Sequence, residues 1–300
     1  MDRIVSSASE CLTPFEDFVV KNHSSQKLNW FYISQNKEIT WDFYLKHSKY
    51  PWDFNGLSMN PNITEEIVRS NPSLPWNGGM LCCNPNISVE FLESMAQIDK
   101  YKFYVIDTML SKNPNITPEF VKANLGKDWD SLFLSRNPAM TLEIIKELSN
   151  YKKLNQARYT GKEEEYVDFW NWTYLSANPN ITLEFILENI KKDWCWHYIS
   201  SNSTITLKDV SEHPELPWCM KGLSMNPNIT LDIIESNPHI KWDIYYLSSN
   251  PNITLKYVLE HPIGWNYYAL SQNPGISWKE IQEHNRLPWD IEGLCWKVGK

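Results

Sequence analysis

An asparagine that recurs about every 24 residues constrains this chain more than any other feature. Six of the nine intervals between these anchor asparagines are 24 residues, and the two longest mark insertions near residues 97–104 and 152–168. Such a period is the signature of a repeat array, in which stacked units bury a continuous core. The anchors are Asn36, Asn60, Asn84, Asn113, Asn137, Asn178, Asn202, Asn226, Asn250 and Asn273.

The residues after each anchor predict a helix. Three residues after it stands Ile in nine of ten units, including Ile229, which we assign to the core. Four residues after it stands Thr or Ser, whose hydroxyl suits a helix N-cap. The helix should end about eleven residues after the anchor, where Asn or His recurs, and we expect it to span roughly 8–10 residues. The predicted N-caps include Thr64, Thr117, Thr182, Thr230 and Thr254.

The residues before each anchor predict a second, shorter helix. Trp stands eight residues before it in eight of ten units, and Leu or Ile always stands three residues before it. This spacing is that of a hydrophobic staple, with Trp just outside the helix. Core packing is therefore the favoured role of the Trp residues, over stacking on bases or sugars. The Ser two residues before the anchor suits close helix contact and a bond to the carbonyl four residues back.

The fold class predicted from these units is an all-α solenoid of about ten two-helix repeats. Residues 1–27 are assigned to an N-terminal cap and residues 28–300 to one helical-repeat solenoid, with Trp289 opening a partial last unit. Helices pack ~8–10 Å apart, so ten units in a row would extend about 90 Å.

The run Leu-Ser-x-Asn-Pro-Asn-Ile-Thr, found at residues 57–64, 175–182 and 223–230, resembles the leucine-rich variant repeat. That resemblance implies a right-handed superhelix in which α-helices alternate with short α- or 3₁₀-helices. One branch of that family holds an iron–sulfur cluster on N-terminal cysteines, but only Cys11 stands there in this chain. The Trp-led version of the repeat also resembles uncharacterised repeat proteins of mimivirus-like giant viruses, which implies a viral source and the host cytoplasm.

Composition and motifs exclude several classes of function. The net charge of −8 argues against a nucleic-acid partner. No apolar run approaches the length of a membrane span, and no signal peptide is visible, so we expect a cytoplasmic protein with reduced thiols. The six cysteines lack zinc or iron–sulfur spacing, and no motif of a catalytic site or cofactor site is present. We therefore expect no catalytic residues, no metal and no cofactor.

The repeated Asn-Ile-Thr and Asn-Ile-Ser triplets match glycosylation sequons formally. Their Asn, replaced by Gly275 in one unit, is better interpreted as a turn residue that tolerates positive φ. The insertion 152–168 is either a surface loop or part of a binding face, because insertions in solenoids collect on one face.

These observations favour a non-catalytic protein-interaction scaffold, which we expect to be monomeric and to bind a protein partner. A virion structural component, or a groove-binding subunit for a small molecule or nucleic acid, are the alternatives. Residues five and one before each anchor vary freely and share a helix face, so this face should be exposed and carry recognition. The alternative is that its rings pad the groove between helices. The candidate partner-binding residues are Phe31, Leu132, His197, Lys221, Tyr245 and Tyr268.

Overall fold

In a computed structural model, which describes residues 12–96, 107–160 and 168–297, the chain is built from helices and contains no β-strand in those ranges. Helices that precede an anchor are called A-helices here, and even numbers are given to them. They are α2 (Trp30–Gln35), α4 (Phe54–Met59), α6 (Gly78–Leu81), α8 (Asp107–Leu110), α10 (Ser131–Arg136), α12 (Trp172–Leu175), α14 (Trp196–Ser201), α16 (Met220–Met225), α18 (Ile244–Leu247), α20 (Tyr267–Gln272) and α22 (Ile291–Cys295).

Helices that follow an anchor are called B-helices and have odd numbers. Helix α1 is counted with them because of its position in the fold, described below. All five N-caps named above are confirmed, since each Thr hydroxyl accepts a bond from a backbone N–H of its helix. The B-helices are α1 (Pro14–Asn22), α3 (Trp41–Lys46), α5 (Glu65–Ser70), α7 (Val89–Ala96), α9 (Pro118–Ala123), α11 (Leu142–Thr160), α13 (Leu183–Glu188), α15 (Leu207–Glu212), α17 (Leu231–Ser236), α19 (Leu255–Glu260) and α21 (Trp278–Glu283).

Most B-helices contain six residues, so the expected length of 8–10 was wrong. Helix α5 shows the reason. Its C-cap Asn71 donates its backbone N–H to the carbonyls of Ile67 and Val68, and its side-chain amide also donates to Ile67. Pro72 follows at once and cannot continue the helix. Within the insertions, residues 97–104 lie outside the described residues, while residues 152–160 continue helix α11.

The anchor asparagine joins each unit to the one before it. Asn60 is fully buried, and its side-chain amide donates to the carbonyls of Ser34 (2.8 Å), Asn36 (2.9 Å) and Ile39 (3.1 Å). A ladder of such bonds therefore runs along the array, in which most anchor amides donate to the carbonyl of the previous anchor, whereas the Asn113 amide donates to the Ile87 carbonyl (3.3 Å). It comprises Asn84 to Asn60, Asn137 to Asn113, Asn178 to Asn137, Asn202 to Asn178, Asn226 to Asn202, Asn250 to Asn226 and Asn273 to Asn250.

The second asparagine of each Asn-Pro-Asn sequence also binds the previous unit. The Asn62 amide donates to the carbonyls of Lys37 (2.6 Å) and Ile39 (3.0 Å). The expectation of positive φ at this position was wrong, because no non-glycine residue in the described ranges has positive φ. Gly275 replaces this asparagine, and a Cβ there would lie only 2.5 Å from the Ile253 carbonyl oxygen.

The two ends of the ladder meet, so the array closes into a ring. Lys297 stands 24 residues after Asn273, at the place of an eleventh anchor, and is buried. Its ammonium donates to the Asn273 carbonyl (2.6 Å), and its own carbonyl accepts the Asn36 amide (2.7 Å). Helix α2 consequently packs against both α4 and α22. The expected open array about 90 Å long is wrong.

Helix α1 completes the eleventh unit, whose A-helix is α22. It packs against α21, the B-helix of the tenth unit, and its Phe15 ring lies 5.3 Å from the ring of Trp278. Residues 13–23, which the sequence placed in an N-terminal cap, therefore supply the B-helix missing after Trp289. Units are numbered below from 1, anchored at Asn36, to 11, anchored at Lys297.

The A-helices form the inner layer of the ring. Neighbouring A-helices approach each other more closely than neighbouring B-helices. Because the spacing between neighbouring elements of a closed ring decreases toward its axis, the A-helices are the layer nearer the axis. Eleven A-helices spaced ~8–10 Å apart set opposite helix axes about 30 Å apart, which leaves an opening of roughly 20 Å for helices ~10–12 Å thick.

The close approach of A-helices predicts opposite effects for two glycine substitutions. A Cβ on Gly222 would collide with the His197 carbonyl oxygen and lie 2.8 Å from Ser200 Cβ, whereas one on Gly79 would have no neighbour nearer than 3.4 Å. We expect Gly222→Ala to lower the free energy of unfolding by about 1–3 kcal/mol. Gly79→Ala should be neutral or stabilise by up to about 1 kcal/mol, because alanine favours the helix. Denaturant unfolding of both variants measures this, and equal effects would contradict the packing described.

The core lies between the two helix layers. Leu or Ile three residues before the anchor and Ile three residues after it are buried throughout, and Ile229 is 1% exposed, as predicted. The Trp residues pack at its edge, and in six of the eight units that have Trp eight residues before the anchor the indole N–H donates to the carbonyl of the residue that ends the previous B-helix. Examples are Trp76 to Asn71 (3.0 Å), Trp129 to Asn124 (2.9 Å) and Trp194 to Asn189 (2.9 Å).

Candidate interaction surface

The A-helices present one face to the opening of the ring, which we call the inner face. It consists of the residues five and one before each anchor, together with the side chains four before it where these are aromatic. The positions three and two before the anchor are buried in the described units, so they hold the ring together and leave the inner face to vary.

The six candidate residues lie on this face at different depths. Tyr245 is 52% exposed, Tyr268 is 38% exposed and Lys221 is also exposed. Phe31, Leu132 and His197 are half-buried. Phe31 in unit 1 and Leu132 in unit 5 lie on separate parts of the ring, so the six residues do not form one compact site.

Three units bring some of the candidates together around Tyr246. The Lys221 ammonium lies 5.7 Å from the centre of the Tyr246 ring, and the His197 ring lies 5.5 Å from it, edge to face. The Tyr245 ring is 5.3 Å away. The His197 imidazole also lies 3.6 Å from the Cys219 sulfur. The result is a cluster of cationic, aromatic and imidazole groups across units 7 to 9.

A second cluster was missed from the sequence. The Lys112 ammonium lies 4.0 Å above the Phe133 ring, and the Arg136 guanidinium lies 5.4 Å above the Tyr174 ring. Each cation stands one residue before an anchor, and each ring stands four residues before the next anchor. The signal was present, since these positions vary between units, but the pairing depends on the contact between adjacent A-helices.

Charge is divided between the two layers. The B-helices contain nineteen acidic and eleven basic residues. The A-helices and the residues that join them to their anchors contain only five charged residues, of which three are the cations Lys112, Arg136 and Lys221. The net charge of −8 therefore arises mainly from the outer layer and the loops, and the inner face is nearly neutral with local cations.

The repeated polar residues make hydrogen bonds within and between the units. The Ser58 hydroxyl donates to the Phe54 carbonyl (2.6 Å) and accepts the backbone N–H of Asn77 (2.9 Å) in the next unit. Burial raises the pKa of the Cys82 thiol to about 12. The cysteines in the described ranges are free thiols, and those ranges contain no cluster of metal-ligating side chains.

Two cavities flank the junction between the ends of the chain. One, of about 820 Å³, lies between helices α2 and α22 and is lined by Phe31, Asp53 and Glu292 among others. The other, of about 720 Å³, lies between α1 and α21 and is lined by Phe18, Trp278 and Leu294 among others. Both are open grooves on the ring surface.

No family model matches this chain, and no curated protein or solved structure matches it either. In the described part of the chain, no helix combines the length and apolar character needed to cross a bilayer. The longest of the described helices, α11, contains Glu143, Lys146 and Glu147 in its first half.

Proposed function

We propose that this protein is a non-catalytic scaffold that binds a protein partner on its inner face. The observation that carries the proposal is the contrast between a repeated framework and a varied face. The repeated Ser, Asn and Thr residues make their hydrogen bonds within the ring. The inner face, in contrast, carries a different set of side chains in each unit. Exposed Tyr245 and Tyr268 supply the aromatic anchors that interfaces commonly use.

The ring shape favours binding of a protein segment over binding of a small molecule in a compact pocket. An opening of roughly 20 Å exceeds the ~10–12 Å thickness of a helix, so a helix or an extended segment of a partner fits within it. We further propose that the protein acts as a monomer in the cytoplasm of a host infected by a giant virus, on the strength of the Trp-led repeat quoted above.

The double substitution Tyr245→Ala with Tyr268→Ala tests the proposal. Because both rings are substantially exposed, we expect the free energy of unfolding to change by less than about 1 kcal/mol. Affinity capture from amoebae infected with a giant virus, followed by mass spectrometry, should recover a partner with the wild type and at least about tenfold less of it with the variant.

The matched control is Leu45→Ala with Leu259→Ala, which removes two side chains of 52% and 47% exposure from the B-helices. Capture by this control should equal that of the wild type. Undiminished capture by the tyrosine variant would place the partner elsewhere on the protein. A large loss of stability would instead assign the two rings to the core.

A further inference from the structure

The three cations of the inner face lack carboxylate partners. None of Lys112, Arg136 and Lys221 has a carboxylate oxygen within 4.0 Å among the described residues. Several cations of the outer layer are paired with carboxylates. Lys122, for example, lies 2.7 Å from Glu147 and 3.3 Å from Glu143. Among the described residues, the inner face therefore keeps positive charge that no carboxylate within 4.0 Å neutralises.

Each of these cations is held in place by an aromatic ring of the following unit. Lys112 lies over Phe133, Arg136 over Tyr174 and Lys221 over Tyr246. A cation over a ring face is attracted to it but retains its charge and its free N–H donors. The arrangement fixes three donors on one arc of the ring, from unit 4 to unit 8, with the His197 imidazole beside the last of them.

We infer that this arc, defined by Lys112, Arg136 and Lys221, binds an acidic peptide segment of the protein partner. The inference rests on the proposed function and names the chemistry of the partner. Carboxylates of the segment would pair with the three cations, and its apolar side chains would contact the rings of Phe133, Tyr174 and Tyr246. Charge complementarity supports this choice, since the A-helices and the residues that join them to their anchors contain only two carboxylates, Asp107 and Glu292, besides these three cations.

The number and surroundings of the cations favour a peptide over a nucleic acid. Proteins that depend on phosphate contacts neutralise about six to ten of them, and three cations do not suffice. Binding of a single strand also needs a continuous positively charged groove along its backbone. Here Asp130 stands among the cations at the start of α10, and Asp243 stands just beyond them at the start of α18.

The spacing of the cations sets the length of the segment. Lys112 and Arg136 belong to adjacent units, and Lys221 lies three units beyond Arg136. Around an opening of roughly 20 Å, four of the eleven steps cover an arc of about 23 Å. An extended chain covers ~3.3 Å per residue, so about seven residues reach all three cations.

The test measures binding of defined probes by fluorescence anisotropy. The probe is a labelled twelve-residue peptide in which glutamate alternates with glycine, compared with the same peptide carrying glutamine and with a single-stranded oligothymidylate of twelve nucleotides. We expect saturable binding of the glutamate peptide to the full-length protein, weakened at high salt, and at least about tenfold weaker binding of the other two probes.

The variant Lys112→Gln/Arg136→Gln/Lys221→Gln should bind the glutamate peptide at least about tenfold more weakly. Its control, Lys208→Gln/Lys256→Gln/Lys279→Gln, makes the same change of charge at exposed B-helix positions and should bind within about twofold of the wild type. Circular dichroism checks that both are folded. If the triple variant is unfolded, Arg136→Gln and Lys221→Gln are measured singly, and each should weaken binding about threefold.

Three results would overturn the inference: no saturable binding of the glutamate peptide, equal weakening by the control, or tighter binding of the oligonucleotide. These results are separable from failure of the scaffold function. If the tyrosine variant loses a captured partner while the glutamate peptide does not bind, the partner is recognised without acidic chemistry. If the glutamate peptide binds as expected but capture does not depend on Tyr245 and Tyr268, the acidic-peptide site is supported and the proposed role of the two tyrosines is not.

Discussion

Replacing Asn226 with aspartate should lower the free energy of unfolding by about 3–5 kcal/mol. The Asn226 amide donates to the carbonyls of Ser200 (2.8 Å), Asn202 (2.9 Å) and Ile205 (3.1 Å), and the side chain is fully buried. Aspartate has nearly the same shape but no N–H donor. Its carboxylate would face three carbonyl oxygens, so the folded state would raise its pKa above the unfolded value of about 4. The loss of stability should therefore grow as the pH rises from about 4 to 7.

Asn55→Asp is the matched control for that substitution. Asn55 is exposed, and its side chain uses the oxygen atom, which accepts the Asn77 amide (2.6 Å). Aspartate keeps that acceptor, so the change in unfolding free energy should stay within about 0.5 kcal/mol. Urea unfolding of the two variants at both pH values measures the difference. Similar effects of the two substitutions would show that the amide ladder does not stabilise the ring.

The substitution Phe15→Ala should destabilise both ends of the chain together. Phe15 is fully buried, and its ring packs against Trp278 in the tenth unit. Its truncation should cost about 3–5 kcal/mol, as for other buried phenylalanines. Because α1 lies between α21 and the first unit, amide hydrogen exchange should rise in residues 28–47 and also in residues 267–295, which are far apart in sequence. Mass spectrometry of peptide fragments resolves these regions.

Two further variants locate the effect. Leu12→Ala changes a residue that is 41% exposed just before α1 and should leave exchange unchanged. Ile186→Ala removes a buried side chain of unit 6, so its effect should centre on units 5 to 7. If Phe15→Ala raised exchange only near the N-terminus, the ends of the chain would not meet in solution.

The sequence predicted the units better than it predicted how they are joined. A hydroxyl or an aliphatic side chain has one dominant use at a given helix position, so Thr230 as a cap and Ile229 as core could be inferred from spacing alone. The anchor asparagine has several uses. Its role in ending the A-helix is visible in the sequence through the proline that follows. The bonds of Asn226 to the carbonyls of Ser200 and Asn202, in contrast, depend on how two units stack.

Closure leaves a signal in the sequence. Within the described residues, the unit that Trp289 begins has an A-helix with no B-helix after it, and the B-helix that Thr13 caps has no A-helix before it. The Thr-Pro pair at Thr13 matches that at Thr117, which caps the B-helix of unit 4. Whether these two half-units meet depends on the angle by which each unit is rotated relative to the previous one. That angle is set by the packing between neighbouring units. The cationic arc was missed for the same reason, since its ring contacts join different units.

The junction between Asn36 and Lys297 also changes how the protein can unfold. A linear array has terminal units with a single neighbour, which fray first and let unfolding spread inward. Here every unit has two neighbours, so the first unit to leave must break two contacts at once. The array gains one interface beyond the number that a linear chain of equal length can form. Thermal or chemical denaturation consequently cannot begin at a unit that has only one neighbour, which should make unfolding of the ring more cooperative than that of a linear array.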